Sequence, residues 1–149
     1  MKNLALLFIL TGSFCLAQTS EKDEVQKVVN SLFTAMKNSD TILLKNAFTE
    51  NAILQSVKKD GTLINDDVSG FAKIVGNNKK GNLDERIIFS SVLVDGNLAS
   101  VWTPYEFYFS GKFSHCGVNS FQLVKQNGEW KIHYLIDTRR KEKCSQTEN

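Results

Sequence analysis

Glu106 and His115 are the pair in this chain best suited to moving a proton. A carboxylate beside an imidazole orients the ring and raises its pKa, which prepares a general base. A Glu set in an apolar pocket can also be tuned upward to act alone. The same two groups could line a pocket without chemistry, or satisfy each other. A second pair is Asp137 and Arg139, which share one face of a strand near its end. They can anchor a rim by pairing, or Arg139 can hold an anion through its fork of donors. Cys116 and Cys144 form either a disulfide or two free thiols. A nucleophilic Cys116 is disfavoured, because the neighbouring His115 points to the opposite strand face. No CxxC and no Cys/His cluster of zinc spacing occurs, so neither a metal nor a cofactor is expected.

These groups lie in Leu98 to Arg140, which reads as three long strands joined by two tight turns and holds both Trp, all three Tyr and both His. Asn127-Gly128 is a strong two-residue hairpin signal and pairs Gln126 with Glu129. Leu123 then faces Ile132, and Phe121 faces Tyr134. Side chains alternate along a strand, so His115, Gly117, Asn119, Phe121 and Leu123 share a face with Trp130, Ile132, Tyr134, Ile136, Thr138 and Arg140. This face carries more large apolar groups and is assigned to the core. A two-residue loop at Ser110-Gly111 or Gly111-Lys112 adds Trp102, Glu106 and Tyr108 to it. A three-residue loop would reverse that assignment, and a bulge at Gly117 would turn His115 relative to Phe121. In the simple register, Glu106, Tyr108, His115 and Asn119 form a polar cluster walled by Trp102, Phe121 and Tyr134. An apolar pocket with a few convergent polar groups is what a small-molecule site requires. Cys116 falls opposite Arg139, so a bridge to Cys144 needs the tail to curl back over the sheet. His133 points to the other face, toward solvent or a dimer interface, in company with Val118, Val124 and Leu135; Val92 is placed there too.

The elements that position these strands come first in the chain. Val25, Val28, Val29, Leu32, Phe33 and Met36 paint one face of a helix, capped by Ser20 or Thr19, with Glu21, Asp23 and Glu24 near its positive end. Asn38-Ser39-Asp40 stops it, and Asp40 caps a second helix over Thr41 to Phe48. Ala52 to Val57 reads as a short strand turned by Lys58-Lys59-Asp60-Gly61 into Thr62 to Asn65. Asp66 or Asp67 caps a third helix carrying Val68, Phe71, Ile74 and Val75, followed by a polar loop over 76–82. Arg86 to Val94 meets Leu98 to Phe109 through Asp95-Gly96-Asn97. Helices segregated from antiparallel strands indicate an α+β domain with helices on one sheet face.

The first residues read as a secretory signal. Met1-Lys2-Asn3 starts positive, Leu4 to Leu10 is apolar, and Ala17 is a fitting cleavage site. The run is far short of the ~20 residues that span a bilayer. We therefore expect a leader over 1–17 and one exported domain over 18–149, periplasmic or secreted and not membrane-bound once cleaved. The net charge of +2 falls toward neutral when Lys2 is lost, which argues against a nucleic-acid binder.

The order of elements resembles the nuclear transport factor 2-like superfamily. So does the closing pattern Trp102…Tyr105-Glu106…His115-Cys116-Gly117…Phe121-Gln122-Leu123-Val124-Lys125…Gly128-Glu129-Trp130-Lys131-Ile132…Asp137-Thr138-Arg139. Within the superfamily, residues 21–140 look like exported SnoaL-like and putative lumazine-binding proteins. The resemblance implies a conical barrel with a pocket between helix and curved sheet, and often a dimer across the outer sheet face. The expected function is binding of a small, partly apolar molecule. The alternatives are an isomerase- or cyclase-like enzyme using Glu106 or His115 as base, and a non-catalytic dimeric interaction module.

Overall fold

The structure is a computed structural model that describes residues 20–142 and Cys144, so the expected leader lies outside the described residues. Helix α1 spans Glu21–Asn38 and opens with a capping box, in which Asp23 N donates to Ser20 Oγ and Ser20 N donates to Asp23 Oδ2. Ser39 ends it in the left-handed region at φ 57°. Asp40 then caps α2 (Thr41–Asn46) by accepting from the amides of Ile42 and Leu43. This second helix is shorter than expected, because Phe48 already begins β1 (Phe48–Val57). Strand β2 (Leu63–Asp66) folds back on β1, and Asp67 caps α3 (Val68–Gly76).

The expected strand over Arg86 to Val94 is two strands, β3 (Leu83–Ile87) and β4 (Ser91–Asp95), both paired with β5 (Leu98–Phe109). Ile87 pairs with Tyr105 and Ser91 with Trp102, so three residues, Ile88 to Ser90, pass only Thr103 and Pro104. Pro104 has no N–H to give to the ladder, and the edge strand bulges where that donor is missing. Strands β6 (Lys112–Gln126) and β7 (Glu129–Thr138) complete a sheet ordered β2-β1-β7-β6-β5-β3, with β4 further along β5. One pairing departs from the expected antiparallel pattern: β1 runs parallel to β7.

The helices cover the concave face of this sheet. Val25, Val29 and Leu32 of α1 are buried against Phe121, Leu123 and Ile132, and the Phe33 ring meets Phe121 edge-on with centroids 6.1 Å apart. Each such side chain contributes roughly 1.5–3 kcal/mol by leaving water. This α1-to-sheet contact closes one half of the cone and leaves the other half open.

Candidate functional site

The open half is a cavity of about 380 Å³ between α1, α3 and the sheet. Leu32, Phe33, Met36 and Phe71 form its helical wall, and Phe107 and Leu135 part of its sheet wall. Into this apolar surround the sheet brings Glu85, Tyr105, His115, Asp137 and Arg139.

Their common face follows from the register. Glu85 pairs with Phe107, and Phe107 pairs with His115, so the three stand in one row across β3, β5 and β6. Asn119 pairs with Asp137 one strand further on. Asn119 Nδ2 donates to Glu85 Oε1 at 2.7 Å. The Tyr105 hydroxyl donates to the Thr138 carbonyl at 2.9 Å and more weakly to Asp137 Oδ2 at 3.4 Å. Asp137 also accepts from Ser56 Oγ and from Arg139 Nε at 2.8 Å, and Arg139 Nη2 donates to Ser56 Oγ at 3.1 Å. Gly117 makes the close approach of β7 feasible, since a Cβ there would collide with the Thr138 carbonyl oxygen.

The surroundings set the charge states. Burial pushes the Glu85 carboxyl up to about 7, aided by the nearby Asp137 charge and opposed by the Asn119 hydrogen bond and by Arg139. Burial also holds the His115 imidazole below its usual value; Arg139 and Lys141 act in the same direction, and Asp137 acts against them. The Tyr105 hydroxyl is driven well above the ordinary phenol range, first by burial and then by Glu85 and Asp137. A carboxyl poised between its two forms at neutral pH, near a neutral imidazole, can accept or donate a proton or hydrogen-bond a neutral ligand. Among the described residues no group of three side chains could hold a metal ion.

The expected constellation is only partly assembled. His115 lines the cavity, and Asn119 is buried beside it, bonded to Glu85. Phe121 is fully buried in the neighbouring core. Asp137 and Arg139 do pair, and both line the cavity. Trp102, Glu106 and Tyr108 are on the opposite sheet face. Ser110-Gly111 is indeed a two-residue loop, with φ 50° and 78°, and joins Phe109 to Lys112. A bulge at Ser114, however, moves His115 from opposite Glu106 to opposite Phe107. Glu106 instead lies across from Cys116 and accepts from the Tyr108 hydroxyl at 2.9 Å, and Trp102 is 49% exposed. Gly117, where a bulge would have turned His115 relative to Phe121, pairs regularly with Tyr105.

A second bulge, at His133, reverses the rest of β7. Leu123 faces Ile132 as expected, but Phe121 then faces Leu135 in place of Tyr134. Leu135, Asp137 and Arg139 therefore turn inward, while Tyr134 turns outward and donates to Gln55 Oε1 at 2.6 Å. Leu135 thus leaves the expected outer patch. So does Val92, which pairs with buried Val101 and packs on the core. His133 is exposed, with Nδ1 3.0 Å from Thr49 Oγ1. The bulge also places Cys116 opposite Arg140 rather than Arg139. The Cys116 amide donates to the Arg140 carbonyl at 2.9 Å and the Arg140 amide to the Cys116 carbonyl at 2.8 Å. This brings the tail back over β6, where Cys116 and Cys144 form a disulfide with Cα atoms 5.6 Å apart.

Glu85 is the group that sequence reasoning missed. Its signal is modest: in Leu83-Asp84-Glu85-Arg86-Ile87 it is a lone carboxylate on the apolar face of an alternating strand, while Asp84 and Arg86 pair on the other face.

Comparison with known proteins places this geometry. No match was found among curated proteins. Solved structures share the fold at low identity. A nuclear transport factor 2-like protein of unknown function from Silicibacter pomeroyi DSS-3 is 20% identical, with a TM-score of 0.64 over 78% of this chain and 93% of that one. A similar protein from Shewanella baltica OS155 is 17% identical, with a TM-score of 0.64 over 78% and 91%. A ketosteroid isomerase-like protein from Erwinia carotovora atroseptica SCRI1043 is 14% identical, with a TM-score of 0.60 over 82% and 98%. The family model described as "Putative lumazine-binding" matches residues 20–134. The chain therefore belongs to the putative lumazine-binding family, within the nuclear transport factor 2-like fold.

Proposed function

We propose that this protein is an exported binder of a small, partly apolar molecule, held in the cavity between α1, α3 and the curved sheet. The observation that carries the reading is the cavity of about 380 Å³ with apolar walls and Glu85, tuned to about 7, among its lining groups. Export is supported by the leader-like residues 1–17 and by the Cys116–Cys144 disulfide, which suits an oxidising compartment. A homodimer through the outer sheet face is supported by exposed Trp102 and by partly exposed Val118 and Val124. The test is native mass spectrometry of protein purified from the exported fraction, followed by thermal melts with the molecule recovered. A retained small molecule that raises the melting temperature of the wild type, and not of a Leu135→Trp variant, supports the reading. Protein that never carries or gains stability from any ligand counts against it.

The Glu85 carboxyl favours one second reading, an enzyme that takes a proton from its ligand with Glu85 as base. Glu85→Gln would then keep binding and lose turnover. In a pure binder it would alter affinity alone.

A further inference from the structure

Beside the cone, a second depression of about 400 Å³ lies against the β1–β2 hairpin. Lys58, Lys59, Asp60 and Ile64 line it, and it shares Ser56 and Arg139 with the cone cavity. The two spaces thus meet at one guanidinium. Arg139 commits Nε to Asp137 and one Nη2 hydrogen to Ser56, while Nη1 has no hydrogen-bond partner among the described residues. Its side chain is 61% exposed, so this end of the fork can be reached from outside.

Arg139, Lys58 and Lys59 stand at this junction beside the carboxylates of Asp137, Asp60 and Asp66. Each carboxylate is engaged locally: Asp137 pairs with Arg139, Asp60 accepts from the Thr62 amide at 2.9 Å and Asp66 from the Asp67 amide at 2.8 Å. Lys58 and Lys59 have no acidic partner within ion-pair distance among the described residues. A guanidinium whose Nη1 is unused among the described residues, beside two lysines with no ion pair among them, opening onto a cone with largely apolar walls, is a binding arrangement for a molecule with two unlike ends.

We propose that the ligand is an amphipathic anion, with its apolar body in the cone and one carboxylate- or sulfonate-like group held at the mouth by Arg139, Lys58 and Lys59. This rests on the small-molecule reading above and adds the charge of the ligand to it.

The test uses two fluorescent probes of nearly equal shape, 1-anilinonaphthalene-8-sulfonate and neutral N-phenyl-1-naphthylamine, titrated into the oxidised protein. The sulfonate is expected to bind about tenfold tighter than the neutral probe. A Lys58→Gln/Lys59→Gln double variant is expected to remove most of that advantage and leave the neutral probe unchanged. Raising sodium chloride from about 20 mM to about 500 mM does the same. Arg139→Gln should weaken the sulfonate further, and the hairpin double variant keeps the test open if loss of Arg139 unfolds the protein around Asp137. Near-ultraviolet circular dichroism of Trp102 and Trp130 checks the fold of each variant. Equal affinities, indifferent to salt and to the lysines, would overturn the anion proposal and leave the cavity reading standing. Probe binding that survives a folded Leu135→Trp variant would overturn the cavity reading itself.

Discussion

Replacing Glu85 by Gln should stabilise the protein, and the gain should depend on pH in a calculable way. The carboxyl rises from 4.5 to about 7 because folding half-buries it in the apolar-walled cavity and strips away much of its water. A carboxyl with a folded-state pKa above its unfolded value binds its proton more tightly when folded. Its contribution is fully present below about 4.5 and is lost as pH rises through about 7. At about 1.36 kcal/mol per unit, the loss amounts to about 3 kcal/mol. The amide of the variant cannot ionise, and its oxygen can still accept from Asn119 Nδ2, which in the wild type donates to Glu85 at 2.7 Å. The two proteins should therefore be nearly equal in stability at pH 4.5. The variant should lead increasingly up to about pH 7 and by a constant margin of about 3 kcal/mol above that. Urea unfolding of both proteins at pH steps from 4.5 to 9 measures the difference directly, and titrations common to both cancel. Parallel stability curves across that range, or a variant that loses ground as pH rises, would refute the assigned burial of Glu85.

Other perturbations probe the frame around this group. Gly117→Ala should cost about 3 kcal/mol in chemical denaturation, because the new methyl meets the Thr138 carbonyl oxygen and the Tyr105 ring, and backbone must move to admit it. Cys116→Ser/Cys144→Ser should cost about 3–4 kcal/mol relative to the oxidised protein, from the 28-residue separation that the disulfide closes; equal melting temperatures with and without reductant would contradict this. Thr103→Val should be neutral or stabilising, since the Thr103 hydroxyl is buried without a partner among the described residues and Val keeps the shape; a loss above about 1 kcal/mol would reveal a hydrogen bond there.

Much of the fold was legible because its signals are local. The apolar stripe of α1, the Asp40 and Asp67 caps and the turns at Ser110-Gly111 and Asn127-Gly128 each act within a few residues. They set the element order and place His115, Asn119 and Phe121 on the concave face. The site was less legible because it depends on register carried over long strands. One extra residue at Ser114 and one at His133 exchange the faces of everything beyond them, which removes Glu106 and Tyr134 and brings in Tyr105, Phe107 and Leu135. Neither bulge has a glycine or proline to announce it. The disulfide was open for the same reason: whether Cys144 reaches Cys116 depends on how the tail leaves β7. Glu85 escaped notice because a charged residue in a short edge strand ordinarily faces water, and only the helices folding over β3 bury it.

The interruption at His133 has a counterpart next door. Along β1, the residues from Thr49 to Ala52 bulge at the same level, and the Thr49 hydroxyl holds the His133 ring across the gap. Two adjoining strands thus carry surplus residues at one height. In genetic terms this seam is where the sheet can absorb an inserted or deleted codon. Deleting His133 would straighten β7 and still leave Leu135, Asp137 and Arg139 facing inward, because pairing beyond the bulge already starts at Gln122 and Tyr134. A deletion one turn of pleat later would turn Asp137 and Arg139 outward together. Length variation among descendants of this sequence should therefore collect at the seam, and stretches added there for engineering purposes should leave the cavity in frame.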